Sequence, residues 1–555
     1  MGALAAPLAL LALVVGCTQL LSADAYYVAR TEDGSLAGNV DAGSTGDGSR
    51  GPTAGDADEA ATDAGVPNGD AGASAGDADG CVPGTNRHTL ENACTSAMCV
   101  PFDNQRVTLC SEDGGKLICP PVPPSDAGIP PPLALDGGAD AGNLPPCSSL
   151  PMLNGFTFPQ PYVYGSGSSA LSLYVGKIAQ AFANQGQGTI LYQIAGSCYG
   201  AYTTVLADSY PLSAVAATTG PATATYFDPV QSDMNGVPLQ YTCRIDKPSR
   251  KADFGVSDVF PTTCLPQLKQ NGGLPNNLHD FFGPVQTMVF AVPTGSTQTS
   301  ISADAAYMVW GFGNGSGVAP WTNEAHLLQR SGSSGTQSMM AAAISVDPFA
   351  WRGVKHKANQ DVLVDMLAAA ASPDTSVQGA TMGVLGADFV EDNRAQITVL
   401  AYQDRGQTCG YYPDSTPTAH DKQNVRDGHY PVWGPSHFIA AVNGNGQPSS
   451  DTVKKFVDAL SGTTAVPGLN LLLTYQQRHI IPQCAMHVTR TSDGEDYQAY
   501  FPPDSCSCYY EFLTRGQTDC VLCKNSGDCT SAPNGATNCN VFGSPAVGYC
   551  EPPGK

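Results

Sequence analysis

The sequence has little positive charge. Its 555 residues include 26 lysines and arginines against 49 aspartates and glutamates, which gives a formal net charge of −23. This balance argues against nucleic acid and anionic membrane surfaces as partners. Much of the negative charge lies in residues 22–80, where Arg30 and Arg50 are the only basic residues. Exposed charges are screened over roughly 8 Å at physiological salt, so the overall balance does not exclude a local anion site.

An apolar run long enough to span a membrane is absent from the N terminus. Residues 4–15 are apolar apart from Pro7 and fit the core of a signal peptide better than a spanning helix. The run ends in Val14-Val15-Gly16-Cys17, which resembles a bacterial lipobox with Cys17 as the lipidated residue. No Lys or Arg precedes it. The sequence therefore predicts an exported periplasmic or cell-surface lipoprotein that contacts the membrane through its lipid anchor only, with an uncleaved secretory signal as the alternative.

Large apolar side chains are scarce in residues 18–80. This stretch is rich in Ala, Asp, Gly and Ser, and the tripeptide Asp-Ala-Gly recurs from Asp41, Asp63 and Asp70. It has too few apolar side chains to offset the entropy cost of ordering, so we predict a disordered tether. The repeats lack the fixed ligand spacing of a calcium-binding loop.

Cysteine, by contrast, is abundant. Apart from Cys17, eighteen cysteines remain, and an even number in an exported chain favours disulfides. They form three groups of six, four and eight, each of which could pair internally, within residues 81–147, 198–409 and 484–550. The spacing of Cys520, Cys523 and Cys529 also suits zinc, but zinc needs thiolates and an oxidising compartment favours disulfides. Neither a metal nor a cofactor is predicted.

The positions of the three cysteine groups divide the chain after residue 80 into three parts. We predict a small cysteine-containing module with a Pro-rich linker in residues 81–149, a globular domain in residues 150–490, and a Cys-rich module in residues 491–555. In the globular domain, short apolar strand-like runs alternate with helical runs, which indicates an α/β fold. About 340 residues exceed one compact core, so two lobes are expected. The predicted strands include 189–194, 252–256, 285–292 and 396–401, and the predicted helices 169–185, 302–311, 335–345, 357–371 and 450–460.

One stretch has the chemistry of an oxyanion site. Residues 329–336 read Gln-Arg-Ser-Gly-Ser-Ser-Gly-Thr and lead into a helical run. A helix that begins on small residues presents unpaired backbone N–H groups at the positive end of its dipole, and Arg330 adds a planar cation. An ordinary capped helix is the alternative. Three other stretches combine small polar residues or a carboxylate with strand ends, namely Gly165–Ser169, Gly196-Ser197 and Phe254–Asp258.

In these motifs and their order, the chain resembles the periplasmic phosphate-binding proteins of ABC-type phosphate uptake systems. The detailed resemblance covers residues 158–345 and includes Tyr192–Ser197 and Ile301–Gly313, with a looser match to about residue 480. It implies a type II periplasmic-binding-protein-like fold with two lobes, here flanked by small disulfide-rich modules. One lobe would comprise residues 158–290 and the segment after about 430, and the other residues 292–430. The implied function is capture of inorganic phosphate for an inner-membrane ABC permease, or sensing, without catalysis.

The resemblance also implies a ligand set. By position it assigns Ser169 and Ser197 as hydroxyl donors, Asp258 as the acceptor, Arg330 as the guanidinium, and Ser334, Gly335 and Thr336 as donors at the helix start. An ionised Asp can accept the proton that phosphate keeps near neutral pH, whereas sulfate has none and would be repelled.

Two differences from the family stand out. Gly332 occupies the place of an Asp that braces the arginine, which leaves Arg330 either less restrained or braced from elsewhere. The spacing between Ser197 and Asp258 is longer than in the family, which indicates an insertion around residues 205–250.

Two other classes of function remain open at this stage. Gly196–Gly200 fits a nucleophile elbow with Cys198 as the nucleophile of a hydrolase, unless Cys198 is in a disulfide with Cys243 or Cys264. Candidate bases and their orienting acids are His429, His437, His479, Asp414 and Asp427. A surface adhesion or scaffold protein that has lost its ligand is the third class.

Overall fold

The computed structural model describes residues 86–113, 116–123, 144–215, 221–234, 236–543 and 545–554. The predicted signal peptide, the lipobox Cys17 and the tether of residues 18–80 lie outside the described residues. Within those ranges, no helix combines the length and apolar character that crossing a membrane requires.

The described chain begins with a short N-terminal segment and then enters a first α/β region. The segment contains α1 (Arg87–Glu91), β1 (Cys99–Val100), β2 (Ser111–Asp113) and β3 (Lys116–Ile118). The first region contains β4 (Tyr162–Gly167), α2 (Ser172–Asn184), β5 (Thr189–Ile194), α3 (Ser197–Val205), β6 (Thr223–Ser232), β7 (Pro238–Arg244), β8 (Phe254–Ser257), α4 (Pro261–Cys264) and α5 (Gln267–Gln270).

A second α/β region follows the long strand β9 (Leu278–Pro293). It contains β10 (Ser300–Ser302), α6 (Ala303–Phe312), β11 (Leu327–Arg330), α7 (Gly335–Ile344), β12 (Val354–His356), α8 (Asn359–Ala370), α9 (Thr375–Ala380), β13 (Met382–Gly386), α10 (Ala387–Glu391), β14 (Ile397–Val399), β15 (Ala401–Gln403), β16 (Gly410–Tyr411) and α11 (Gln423–Asp427).

The chain then returns to the first region and ends in a small C-terminal part. The returning elements are β17 (Trp433–Ala441), α12 (Asp451–Leu460) and α13 (Leu471–Gln477). The C-terminal part contains β18 (Val488–Arg490), β19 (Tyr497–Ala499), α14 (Ser507–Arg515), β20 (Leu522–Cys523), β21 (Asn538–Phe542) and β22 (Val547–Glu551). The helices predicted for the globular domain are present with ends shifted by a few residues, and β9 begins seven residues before the predicted 285. The predicted strand 396–401 is wrong as a single strand, because it is divided into β14, which pairs with β9, and β15, which pairs with β10 in a different sheet.

Two strands connect the two regions into one large sheet with the order β12-β11-β13-β9-β17-β8-β4-β5-β6-β7. The first part of β9, Leu278–Thr287, pairs with β17, and the remainder pairs with β13 and β14. Because β9 runs out of the first region and β17 runs back into it, they are the crossover strands of a two-lobed protein. The first lobe is the first region together with β17, α12 and α13, and the second lobe is the second region. The predicted α/β class and two-lobed layout are confirmed.

Both faces of the first-lobe sheet are buried. Along β4 and β5, Val163 and Ile190 belong to one apolar core with α2 and α12, whereas Tyr164 and Leu191 belong to a different core. Successive residues of a strand point to opposite faces, so this alternation places a core on each side of the sheet. Burial on both faces is typical of parallel strands and explains why β8, a neighbour of β4, is fully buried.

The predicted insertion extends this sheet at its edge. Strands β6 and β7 form an antiparallel hairpin next to β5. A disulfide from Cys147 to Cys243 fastens the hairpin to the chain that precedes the lobe. The insertion therefore enlarges the first lobe and lies away from the end of β8.

Disulfides occur both within and between the three cysteine groups. Cys99 is joined to Cys409, so the N-terminal segment is covalently attached to the second lobe, and β1 pairs with β16 beside this bond. The C-terminal cysteines pair among themselves, which confirms the preference for disulfides over zinc in this part. The other disulfides are Cys110–Cys119, Cys198–Cys264, Cys484–Cys506, Cys508–Cys520, Cys523–Cys539 and Cys529–Cys550.

We expect the approach of α3 to β8 to depend on a glycine. A Cβ atom at Gly200 would lie 2.2 Å from the Val256 carbonyl oxygen, a backbone atom that cannot easily move. Gly200→Ala should therefore destabilise the protein by about 1–3 kcal/mol, measured by chemical denaturation. The matched control is Gly379→Ala, because nothing lies within 4 Å of its Cβ position. Equal stability of the two variants would contradict the close contact.

Candidate functional site

Asp258 lies at the end of β8 and is the centre of the site. Its side chain is buried, and hydroxyl groups from two other loops donate hydrogen bonds to it. Ser168, directly after β4, donates to Oδ1, and Ser197, the first residue of α3, donates to Oδ2 at 2.8 Å. Parallel strands end at the same edge of a sheet, so β4, β5 and β8 bring these three residues together.

The first turn of α7 meets this carboxylate from the other lobe. A Cβ atom at Gly335 would lie 2.3 Å from Ser197 Oγ and 2.7 Å from Asp258 Oδ2. The backbone N–H of Cys198 also donates to the Ser333 carbonyl at 3.4 Å. The positive end of the α7 dipole therefore lies against a buried carboxylate, and the two lobes are in contact at this point. Ser334 and Thr336, which flank Gly335, are buried as well.

Arg330 is the last residue of β11 and is held in place by the start of α8. Its side chain is buried, with Nη2 donating to the Lys357 carbonyl at 2.9 Å and Nη1 donating to Asn359 Oδ1. Asn359 thus provides the brace that Gly332 cannot. At Gly332 the ring of Phe349 occupies the space where a Cβ would lie, 2.5 Å from the nearest ring atom.

The electrostatics of Asp258 reflect this environment. Burial raises the pKa of its carboxyl, and the hydrogen bonds from Ser168 and Ser197 and the positive charge of Arg330 act in the opposite direction. His437 also acts to lower this pKa. Its ring is buried on β17 opposite Ser257, and its Nδ1 lies 2.8 Å from Asp280 Oδ2.

The structure brings most of the predicted ligand residues together around Asp258, and it adds Ser168 to them. Ser197, Asp258 and Gly335 are in direct contact, and Arg330 is close enough to affect the pKa of Asp258. Ser168 contacts the carboxylate where Ser169 was expected to be the hydroxyl of this loop. The Ser169 carbonyl instead accepts hydrogen bonds from Ser172 at the start of α2.

Sequence patterns alone do not identify two residues of this site, Ser168 and Asn359. Ser168 belongs to the Gly/Ser stretch that was recognised, but the motif alone does not show which of two adjacent serines faces Asp258. Asn359 lies 29 residues after Arg330, and only its position at the start of a predicted helix was visible in the sequence.

The nucleophile alternative is wrong for Cys198. Its sulfur is in a disulfide with Cys264, so it has no thiol to act as a nucleophile. The proposed bases are also engaged elsewhere: His437 with Asp280, His479 with Asp392, and His429 with the carbonyl of Ala93. The two candidate orienting acids have other partners too, since Asp414 binds Lys422 and Asp427 binds His487.

In the described part of the chain, one set of potential metal ligands is close together. The sulfurs of Cys523, Cys529 and Cys550 lie within 4.8 Å of one another. Each of them is in a disulfide, so none is a thiolate that could bind a metal.

A second acidic group lies between the lobes. Asp388, at the start of α10, lines a cavity of about 30 Å³ together with Leu171, Tyr174 and His479 of the first lobe. Burial raises the pKa of Asp388 to about 7, and the charges of Asp392 and Asp258 contribute to this increase, while His479 opposes it.

The chain is similar to solved structures of substrate-binding proteins. It is 13% identical to an ABC-type phosphate transport receptor from Vibrio cholerae, with 54% of this chain and 95% of that chain covered and a TM-score of 0.34. It is 11% identical to PstS from Borrelia burgdorferi, with 58% and 99% covered and a TM-score of 0.33. The substrate-binding protein of an amino acid ABC transporter matches at 7% identity, with 55% and 94% covered and a TM-score of 0.28. No protein-family model and no curated protein matches the chain.

The titration of Asp388 predicts a pH dependence of stability. A carboxyl with a higher pKa in the folded chain holds its proton more tightly there. The stabilisation that protonated Asp388 gives to the folded chain is therefore complete below the ordinary aspartate pKa of 3.8, and it is lost as the pH rises through about 7. We expect Asp388→Asn to raise the free energy of unfolding at pH 8 by roughly 1–3 kcal/mol and to change it little at pH 3.5. Urea denaturation at both pH values measures this, with Asp504→Asn, an exposed site, as the control. An equal gain at both pH values would contradict it.

Proposed function

We propose that this chain is an extracytoplasmic solute-binding protein that binds inorganic phosphate, or a related tetrahedral oxyanion, between its two lobes. One observation carries the proposal. The first turn of α7 in the second lobe lies directly against Ser197 and Asp258 of the first lobe. Donors from both lobes therefore surround one carboxylate, which is the arrangement that a protonated oxyanion requires.

Each group has a role in this proposal. The backbone N–H groups of Gly335 and Thr336 and the hydroxyl of Ser334 donate to the anion, and Arg330 neutralises its charge. Ser197 donates to the anion once its hydroxyl turns away from Asp258. Ser169 is the predicted donor of the first loop, and we add Ser168 because it contacts Asp258. Asp258 accepts the proton that phosphate retains. Sulfate has no proton to donate, so it would meet the lone pairs of a carboxylate in a buried site.

Ligand entry requires the lobes to separate. Gly335 and Asp258 are in contact, so an anion reaches the carboxylate only when α7 moves away from β8. The crossover strands β9 and β17 are the hinge in this proposal. An anion that binds donors from both lobes stabilises the closed form, because only that form presents all of them.

The wider setting is also part of the proposal. Cys17 carries a lipid anchor, residues 18–80 form the tether, and the bound anion passes to an inner-membrane ABC permease or is sensed. The N-terminal and C-terminal disulfide-containing parts flank the binding domain of residues 150–490. The overall negative charge supports the absence of nucleic acid among the partners.

Calorimetric titration with phosphate, arsenate and sulfate tests the ligand and the role of Asp258. We expect phosphate and arsenate to bind, and sulfate to bind at least about a thousandfold more weakly. Asp258→Asn should weaken phosphate binding at least tenfold and reduce the preference over sulfate, since an amide donates as well as accepts. A correctly folded wild-type protein that binds none of the three anions would sink the proposal and favour the scaffold alternative.

Gly335→Ala tests the contact between the lobes. The added methyl group would overlap Ser197 and Asp258 and hold the lobes apart, so we expect phosphate affinity to fall at least tenfold. Because the clash is between the lobes and not within either of them, the substitution should change the free energy of unfolding less than it changes the free energy of phosphate binding. Gly379→Ala, also in the second lobe, is the matched control and should bind as the wild type does. Unchanged affinity in Gly335→Ala would show that the anion binds elsewhere.

A further inference from the structure

The disulfide between Cys198 and Cys264 lies beside two residues of the candidate site. Cys198 directly follows Ser197 at the start of α3, and Cys264 is the last residue of α4, the short helix after Asp258. Both cysteines are buried. The bond therefore joins the two segments that carry the partners of one hydrogen bond, from Ser197 Oγ to Asp258 Oδ2 at 2.8 Å.

These two segments are far apart along the chain. Ser197 and Asp258 are separated by 61 residues, which include the hairpin of β6 and β7. A long intervening chain restrains the relative position of its two ends only weakly. The disulfide provides a short covalent path between the same two ends, so it offsets the effect of the insertion on this part of the site.

The start of α3 needs such a restraint. The residue before the helix is Gly196, which has a φ angle of 99° and no side chain that could cap the helix. The N–H groups of a first helical turn have no partners within the helix, and helix ends open more readily than helix centres. Ser197 lies in this turn, so its hydroxyl is placed only as firmly as the turn itself.

The other end of the disulfide is anchored independently of α3. The carboxylate of Asp493 accepts hydrogen bonds from the Phe260 N–H at 2.8 Å and from Thr263 Oγ1 at 2.6 Å. These two donors lie just before Cys264, and Asp493 is buried. The disulfide therefore connects the first turn of α3 to a segment that the hairpin of β18 and β19 holds in place.

We propose that Cys198 and Cys264 are positioning residues of the anion site. Their disulfide holds the first turn of α3 so that Ser197 Oγ stays within reach of both Asp258 and a bound anion. The effect of the disulfide on phosphate rests on the proposed function, whereas its effect on Ser197 and Asp258 does not.

This role accounts for the Gly-x-Cys-x-Gly sequence of residues 196–200, which does not form a nucleophile elbow. Gly196 turns the chain into α3, and Cys198 fixes the first turn. Gly200 lets the helix approach the Val256 carbonyl, where a Cβ atom would lie 2.2 Å from the oxygen. All three residues thus act on the position of the helix that begins with Ser197.

Removal of the disulfide has a consequence that depends on pH. The hydrogen bond from Ser197 lowers the pKa of Asp258, so its weakening raises that pKa. More Asp258 is then protonated as the pH falls, and a protonated carboxyl no longer serves as an acceptor for the proton of phosphate. The loss of phosphate affinity should therefore grow with decreasing pH. A disulfide that only stabilised the fold would give a loss that does not change with pH, or none.

Calorimetry with phosphate on the full chain tests the positioning role. We expect Cys198→Ala/Cys264→Ala to weaken binding roughly fivefold at pH 8, the effect of one weakened hydrogen bond, and more strongly at pH 5.5. The matched control is Cys147→Ala/Cys243→Ala, which removes the other buried disulfide of this lobe and should bind within about twofold of the wild type. Equal losses in the two variants, or the same loss at both pH values, would overturn the inference.

Titration of Asp258 without phosphate gives a second measurement. In protein labelled with carbon-13 at the aspartate carboxyls, the signal of Asp258 is the one that Asp258→Asn removes. Its midpoint should rise in Cys198→Ala/Cys264→Ala and stay unchanged in the control. If that variant does not fold, Cys198→Ala/Cys264→Val fills more of the buried space and replaces it. A raised midpoint in a protein that binds no phosphate would keep the positioning role and reject the proposed function, and an unchanged midpoint would overturn the inference whatever the phosphate affinity.

Discussion

A carboxylate buried between two lobes is the constraint from which the rest of the site follows. Removal of Asp258 from water is costly unless donors surround it. Ser168 and Ser197 provide two hydroxyls from its own lobe, and the second lobe adds the positive end of α7 and the charge of Arg330. The first lobe alone would leave one side of the carboxylate open to water. Contact between the lobes therefore completes the environment of Asp258, and this contact is where we propose that an anion binds.

Backbone spacing makes this arrangement possible. A Cβ atom at Gly167 or Gly200 would lie about 2 Å from the Val256 carbonyl oxygen. Glycine at both positions lets β4 and α3 pack closely on β8. Ser168 directly follows the first glycine, and Ser197 is one turn before the second, so close packing is what brings their hydroxyls to Asp258. The small residues of these motifs thus serve the geometry of the site as well as any ligand.

Local sequence patterns predicted the helix start at Gly335, the strand that ends at Asp258, and Arg330 before the Ser/Gly loop, because each depends on neighbouring residues. Contacts between distant parts of the chain were not predictable in the same way. The brace from Asn359 to Arg330 depends on how the second lobe folds back on itself, and the disulfide from Cys99 to Cys409 depends on how the N-terminal segment packs on that lobe. The choice of Ser168 over Ser169 depends on the direction in which the chain leaves β4, and composition carries no information about that.

The hairpin of β18 and β19 limits how the lobes can move. Between these strands, Asp493 Oδ2 accepts hydrogen bonds from the Phe260 N–H at 2.8 Å and from Thr263 Oγ1 at 2.6 Å, both in the first lobe. The next residue, Gly494, packs against Ala342 of α7 so closely that a Cβ would lie 2.7 Å from the Ala342 methyl. One turn of chain thus contacts both lobes behind the helix that faces Asp258. The opening that we propose must either break the Asp493 hydrogen bonds or separate Gly494 from α7. Two lobes joined only by β9 and β17 would lack these contacts.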